Sequence, residues 1–332
     1  MANVKGVILN GAKYESQDTE ARALAGQAIN QVETLKNKVT DLESGFTNLG
    51  ETVATVNQTA TAAKTTADEA KSLAQQAETR AQSAYELADA TEHLIGRNLI
   101  AVLGAASAAD AFAVLRTRAD AGNFSGLRKG DYIDVPSMTI DGSVISNSNQ
   151  RLRFEIAGFD TYLNVGDTPV TSHHILMISK NCVLLKAMNG TAINDGGYAA
   201  SELCAYLNNQ VKTGLINAIG ITPKTIHRLL DNKTDWAWLA ETVFIPTEVE
   251  VFGHQAWSNN KGYSTGTSVQ WPLFSEFPQE RIAHWDGSRW SWWEASPRTD
   301  DSALFCICSG DGAADYNLAG RSYIGVRFGF LV

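Results

Sequence analysis

Apolar residues recur with a seven-residue period through the N-terminal part of the chain. One set of positions seven residues apart starts at Ala25, and a second set starts at Ala21. Among all positions of the two sets, only Thr91 is polar. The intervening positions carry Gln, Thr, Lys, Glu and Asp, so a helix with this sequence has one apolar face. Such a face is buried against identical copies, and the pattern over residues 21–95 predicts a long left-handed coiled coil.

The larger apolar residues of this repeat, apart from Ile95, precede Ala60, after which the repeat is almost entirely alanine. Burial of large side chains supplies most of the association energy, so we expect self-association through the first half. A hairpin of two helices within one chain is the alternative, but the repeat continues through 45–50 and no proline interrupts it. Valine and leucine at these positions permit a dimer or a trimer. The predicted oligomerisation residues are Val32, Leu35, Val39, Leu42, Phe46, Leu49, Val53 and Val56.

Local signals divide the rest of the chain. The first residues carry a small apolar patch, interpreted as a docking peptide or a frayed end. The Gly-Arg-Asn sequence at 96–98 predicts the end of the long helix. Ser107 predicts the N-cap of a short helix that reaches about Arg118. The resulting division is a docking tip over 1–20, a stalk over 21–98, a collar over 99–123 and a head over 124–332.

The head reads as a mixture of strands and helices. Apolar or alternating runs predict strands, and two helices separated by Asn208 and Asn209 lie between them. Strand, helix and strand in this order predict an α+β domain. A closing strand ends at Val332, and Trp292 and Trp293 are expected in the core. The predicted strands cover 132–135, 151–159, 174–179 and 182–188, and the predicted helices cover 199–207 and 211–219.

Charge and hydropathy exclude several classes of partner. The net charge is −9 and no basic stripe exists, so nucleic acid is not expected as a partner. The N-terminal apolar run is too short for a secretory signal, and no window approaches the roughly 20 apolar residues that cross a bilayer. We therefore expect synthesis in the cytoplasm without membrane insertion. Cys306 and Cys308 share one face of a strand with poor geometry for a disulfide, and all four cysteines are expected to be free.

Signatures of catalysis are missing from the sequence. It contains no nucleophile elbow, no glycine-rich phosphate loop and no His/Cys quartet with zinc spacing. His173 and His174 are adjacent on a predicted strand, so their rings are expected on opposite faces. We therefore predict no enzymatic activity, no cofactor and no metal site.

Several short motifs occur in a fixed order in the C-terminal region. The motifs are Gly130-Asp131-Tyr132, the run from Phe244 to Gly253, Trp292-Trp293 with Ser296-Pro297, Phe305-Cys306, Gly310-Asp311-Gly312, and Tyr323 with Gly325-Val326-Arg327. In this order they resemble the C-terminal domain of phage and phage-like proteins with a C-type-lectin-like fold, which are related to the variable adhesins of diversity-generating retroelements. The resemblance covers about 124–332.

The resemblance implies a C-type-lectin-like α+β head that follows the coiled coil. The calcium-binding motifs of lectins with this fold are absent, so calcium-dependent sugar binding is not transferred. A remotely related oxidase family needs a terminal cysteine pair, and the spacing of Cys306 and Cys308 departs from its pattern.

The polar run 309–323 is the predicted receptor-binding segment. It mixes Tyr, Asn, Asp, Arg, Gly and Ser, a composition favoured in paratopes, and the matching segment of the resembling adhesins contacts the ligand. An ordinary polar hairpin loop is the alternative. The predicted receptor-binding residues are Arg298, Asp311, Asp315, Tyr316, Asn317, Arg321 and Tyr323.

These expectations combine into one hypothesis about function. The chain is predicted to be a receptor-binding protein in the tail of a tailed phage or phage-like particle. Trimers are expected from the resemblance, with the N-terminus on a tail or baseplate protein and the heads on a host-surface glycan or protein. The alternative is a structural fibre or decoration protein whose head binds other particle proteins. A third class, an oxidase, would need a redox-active Cys306 or Cys308.

Overall fold

The computed structural model describes residues 15–91, 96–259 and 269–332. Contacts divide the chain into two units, Met1–Thr91 and Glu92–Val332. Most of the docking tip predicted over 1–20 lies outside the described residues, and its last six residues are helical.

The first unit contains one long helix, α1 (Glu15–Thr91), as the sequence predicted. The helix passes through Gly45 and Gly50 without interruption. Its threonine hydroxyls bond to carbonyl groups of the preceding turn, as Thr40 Oγ1 does to Lys36 O at 3.1 Å. In the described chain, no helix is both long enough and apolar enough to span a bilayer.

The second unit is rich in β-structure. Its helices are α2 (Leu99–Val102), α3 (Ala108–Asp120), α4 (Glu202–Tyr206), α5 (Lys212–Ile219), α6 (Glu248–Phe252) and α7 (Pro272–Glu276). Its first strands are β1 (Tyr132–Asp134), β2 (Ser137–Ile140), β3 (Ser143–Ser146), β4 (Arg153–Phe159), β5 (Ile175–Ser179), β6 (Leu184–Leu185), β7 (Ile226–Asp231) and β8 (Trp236–Glu241). The remaining strands are β9 (Ala283–Trp285), β10 (Ser288–Trp290), β11 (Trp292–Pro297), β12 (Leu304–Cys308), β13 (Ala314–Leu318), β14 (Gly325–Val326) and β15 (Gly329–Leu331).

Two larger sheets organise this unit. One has the order β1-β4-β5-β15 and is antiparallel, so the predicted closing strand pairs with β5. The other has the order β13-β12-β11-β14-β6, and β11 and β14 are parallel. The pairs β2-β3, β7-β8 and β9-β10 form separate hairpins.

The residues predicted as a collar belong to the fold of this second unit. Asn98 caps α2 and Ser107 caps α3, the latter as predicted. Leu99 and Phe112 are fully buried in the core that also contains residues of both large sheets, because their apolar side chains face it. Arg97 pairs with Asp131 at 2.6 Å. The contacts place the border between the two units after Thr91, and the predicted collar over 99–123 lies in the second unit.

The two helices predicted over 199–207 and 211–219 are joined rather than separated. Leu207–Val211 forms a π-helical turn between α4 and α5. The Asn208 side chain accepts from Thr242 N at 2.9 Å and donates to Val243 O at 3.1 Å. Its amide therefore connects this turn to the segment after β8, so Asn208 does not break the helix.

Both faces of the five-stranded sheet carry apolar side chains. Trp292 and Trp293, neighbours in β11, are both fully buried in two different core clusters. Their burial confirms the expectation for this pair. The four cysteines are buried and free, as expected.

The segment before β5 differs from its prediction. His173 and His174 lie outside the strand, and both rings approach Asp160. His173 Nδ1 is 2.7 Å from Asp160 Oδ2, and His174 Nδ1 is 4.0 Å from Asp160 Oδ1. The alternation of strand side chains does not apply there, so the two rings are not held on opposite faces.

Candidate functional site

The predicted receptor-binding segment forms a hairpin with the strand before it. β13 pairs antiparallel with β12 and is the outermost strand of its sheet. Tyr316 lies opposite Cys306, whereas Asp315 lies opposite Ile307. Because strand side chains alternate, Tyr316 is on one face and Asp315 and Asn317 are on the other. The predicted residues therefore do not form one surface.

Asp311 lies in the turn that joins β12 to β13. Its carboxylate accepts a hydrogen bond from the Ser309 hydroxyl and another from Ala313 N at 3.3 Å. The bond from Ser309, together with that from Ala313 N, lowers the pKa of Asp311 below its usual value. Asp311 therefore closes the turn while it remains exposed and charged.

Arg298, Tyr316 and Trp257 form a compact group that we name the Arg298 cluster. The guanidinium carbon of Arg298 lies 3.9 Å from the centre of the Tyr316 ring and 5.2 Å from that of Trp257. The two rings are 4.9 Å apart at an interplanar angle of 74°. A cation over aromatic faces is an attractive arrangement, and it fixes the orientation of all three side chains.

The loop that carries Arg298 is held by charged groups. Arg298 Nε donates to Asp300 Oδ1 at 2.7 Å, and this bond raises the pKa of Arg298. From the turn between β7 and β8, Lys233 Nζ donates to the carbonyl oxygens of Arg298 at 2.6 Å and Thr299 at 2.8 Å. Arg298 is thereby held by a hydrogen bond from its guanidinium and by another to its backbone carbonyl.

Trp257 completes the cluster from a different segment. Its indole Nε1 donates to Ala314 O of β13 at 3.3 Å, and its carbonyl accepts from Thr299 N at 3.0 Å. Its backbone N–H donates to Glu248 Oε1 at 3.0 Å. About a third of its surface, 36%, remains exposed. In the sequence, Trp257 is one of several tryptophans in polar surroundings, and no motif marks Asp300 or Lys233.

Arg321 and Tyr323 form a second group beyond β13. The Arg321 guanidinium lies 5.9 Å from the centre of the Tyr323 ring, and Tyr323 O accepts from Trp290 Nε1 at 2.7 Å. Both side chains are exposed. Among the described residues, no hydrogen bond or ring contact joins this pair to the Arg298 cluster.

Three buried side chains behind the cluster could hold a metal ion. Glu248 of α6, Glu294 of β11 and Cys306 of β12 each offer one ligand atom, and these atoms lie within 4.8 Å of one another. Burial raises the pKa of Cys306 well above its usual value, with a further contribution from the two carboxylates. A thiol in this state is a poor nucleophile, which disfavours the oxidase alternative.

The eight predicted oligomerisation residues lie in the long helix. Each of them is more than half exposed, from 51% at Val39 and Val53 to 72% at Phe46. In a single chain, α1 therefore carries an apolar stripe that nothing in the described residues covers.

Comparison with known families agrees with a coiled-coil-like helix. Residues 30–99 match the family described as alanine-zipper, major outer membrane lipoprotein. Residues 172–332 match a domain of unknown function, DUF6273. No curated protein and no solved structure matches the chain. The chain thus combines a long N-terminal helix similar to an alanine zipper with a β-rich C-terminal domain.

Proposed function

We propose that this chain is a receptor-binding protein of a tailed phage or phage-like particle. In this proposal, three chains associate through α1 and their C-type-lectin-like heads attach the particle to a host-surface glycan or protein. The N-terminal segment attaches the trimer to a tail or baseplate protein. Three weak contacts made at once give high avidity, which is the physical reason to place binding domains on an oligomerising helix.

The observation that carries the proposal is the exposed stripe of α1. Full burial of a Val, Leu or Phe side chain contributes about 1.5–3 kcal/mol, so eight such residues represent on the order of 10 kcal/mol for each chain. The similarity of 30–99 to an alanine zipper supports the same interpretation. A monomer would leave this apolar surface in water.

The Arg298 cluster supports a binding role for the head. Its two aromatic rings offer flat surfaces for a sugar ring or an apolar side chain, and Arg298 offers donors for a carboxylate or hydroxyl. The groups that hold it, Asp300 and Lys233, preorganise these side chains before a ligand arrives. We place the receptor contact at this cluster, with Arg321 and Tyr323 as a second area.

Substitution in the stripe tests the oligomer. Val39→Asp introduces a charge at a position that the trimer buries, so we expect the trimer to dissociate to monomers at micromolar concentration. Asn37→Asp adds the same charge on the outer face of the same helical turn and should leave the mass unchanged. Light scattering after size exclusion measures both. Equal masses for the wild type and Val39→Asp would contradict burial of this position.

Substitution in the cluster tests receptor binding. Tyr316→Ala and Arg298→Ala should each reduce binding of the full-length protein to host cells at least tenfold, because each removes a face of the cluster. Arg289→Ala removes an exposed arginine outside the cluster, so it is matched in charge and should bind normally. Flow cytometry with labelled protein measures binding.

The outcome separates the two candidate functions. Wild-type protein that binds no host surface, but binds other proteins of the particle, would replace receptor binding with the structural fibre or decoration function. Normal cell binding by both Tyr316→Ala and Arg298→Ala would show that the Arg298 cluster does not contact the receptor.

A further inference from the structure

Behind the Arg298 cluster, three ionisable side chains from separate segments meet in the interior. Glu248 starts α6, Glu294 lies within β11, and Cys306 lies in the neighbouring strand β12. Glu294 and Glu248 are 0% exposed, and so is Cys306. Their ligand atoms lie within 4.8 Å of one another. No motif in the sequence connects these three residues.

Glu294 is the member whose placement needs an explanation. Neither of its carboxylate oxygens has a hydrogen-bond partner among the described residues, although both are fully buried. An isolated carboxylate in the interior costs several kcal/mol unless it gains a proton, a donor or a cation. Its position on a central strand prevents it from turning to solvent, because the side chain faces the same interior space as Cys306.

Glu248, in contrast, is fixed by backbone and hydroxyl donors. Its Oε2 accepts from Ser258 N at 3.0 Å and Ser258 Oγ at 2.6 Å, and its Oε1 accepts from Trp257 N at 3.0 Å. Among the described residues, Oε1 accepts only this hydrogen bond, so it retains a free lone pair.

No cation forms a hydrogen bond with Glu294 among the described residues. Burial raises the pKa of Glu294 far above its usual value, and the charge of Glu248 raises it further. Arg281 opposes this effect, but its guanidinium donates to Phe274 O rather than to Glu294. A divalent cation between the three ligand atoms would stabilise their deprotonated forms and give Glu294 a partner.

We propose that Glu248, Glu294 and Cys306 bind one divalent transition-metal ion, with Zn²⁺ as the expected metal. A thiolate ligand excludes Ca²⁺ and Mg²⁺, which prefer oxygen, whereas Zn²⁺ accepts carboxylate oxygen and thiolate sulfur together. Bonds of about 2.0–2.3 Å would bring the ligand atoms to roughly 3.3–3.6 Å from each other. The required contraction is small enough for side-chain rotation. Binding displaces the proton of the Cys306 thiol and any proton on Glu294.

This ion would stabilise the region that carries the Arg298 cluster. Glu248 bonds to the backbone of Trp257, so a metal on Glu248 connects β11 and β12 to the Trp257 segment. The inference goes beyond receptor binding and does not depend on it. A metal site is present or absent whatever the head binds.

Cobalt titration of the full-length protein tests the site. After treatment with a chelator, the wild type should bind one Co²⁺ per chain with a thiolate-to-cobalt charge-transfer band in the near ultraviolet, and Zn²⁺ should abolish the band. Cys306→Ser should remove the band, and Glu294→Gln should weaken binding at least tenfold. Cys308→Ser is the matched control, because Cys308 is a buried thiol two residues along the same strand.

Each outcome decides the proposal. Circular dichroism checks that the variants fold, and Glu294→Gln keeps the shape of the side chain if Cys306→Ser does not fold. Failure of the folded wild type to bind Co²⁺ or Zn²⁺ would overturn the site. Binding without a charge-transfer band, or an unchanged band in Cys306→Ser, would also overturn it.

Discussion

At the scale of single residues, buried carboxyl groups determine how stability depends on pH. Glu155 on β4 is buried, and its Oε1 lies 3.1 Å from Lys180 Nζ. Lys180 also pairs with Glu280. Burial outweighs the attraction of Lys180 and raises the pKa of Glu155 from 4.5 to about 7. Because the folded pKa exceeds the unfolded value, the native state binds more protons between these pH values, and its stability decreases as pH rises through this range.

Glu155→Gln should therefore reduce the loss of stability between about pH 5 and about pH 7.5. The neutral amide does not titrate, so the free energy of unfolding of the variant should improve by about 1–3 kcal/mol relative to the wild type across this range. All eight tryptophans lie between 236 and 293, so tryptophan fluorescence during urea unfolding reports on the second unit.

The control for this measurement is a carboxyl group near the surface. Glu276 pairs with Lys129, and its side chain is 46% exposed. Glu276→Gln should leave the pH dependence of unfolding as it is in the wild type. An equal pH dependence in Glu155→Gln and the wild type would show that Glu155 is ionised throughout.

At the scale of elements, close packing around β14 leaves no room for a side chain. A Cβ atom added to Gly325 would lie 2.2 Å from Cys182 Sγ and 3.1 Å from Ser291 O. Relief of this overlap would move β14 away from β11 and β6, its two neighbours in the sheet. Gly325 therefore allows three strands to pair.

Gly325→Ala should reduce the free energy of unfolding by about 1–3 kcal/mol, because the overlap must be relieved by strand displacement. Gly310→Ala is the matched control, since its nearest atoms would be 3.5 Å from the added Cβ. Urea unfolding monitored by tryptophan fluorescence compares the two variants. A similar stability for both would mean that β14 adjusts without cost.

Elements with strong local patterns could be predicted from the sequence. The repeat that begins at Ala21 and Ala25 predicted α1, Ser107 predicted the start of α3, and apolar runs predicted β1, β4 and β5. Asn208 misled the prediction because its helix-breaking tendency is offset by bonds to the distant Thr242 and Val243. Contacts far apart in sequence decide such positions.

The candidate sites show the same limit. The sequence identified Tyr316 and Arg298, but alternation along β13 separates Tyr316 from Asp315, and Trp257 comes from another segment. No metal-ligand spacing motif in the sequence links Glu248, Glu294 and Cys306, because they come from separate segments. The prediction that the chain has no metal site was based on such motifs.

At the scale of the whole molecule, the account depends on self-association of α1. The larger residues of the apolar stripe of α1 extend from Val32 to Val56, and each of them is more than half exposed. Its polar threonines are satisfied within the helix, whereas the stripe is exposed in one chain. Copies of the same helix offer a matching surface over this length, which is the reason that we propose self-association rather than a different partner. The number of three chains comes from the resemblance.

Sedimentation equilibrium of the full-length wild-type protein at micromolar concentration tests this claim most directly. The account predicts a mass three times that of the 35.9 kDa chain. A mass of 35.9 kDa, independent of concentration, would contradict it, because the stripe would then be stable in water without a second copy of the chain.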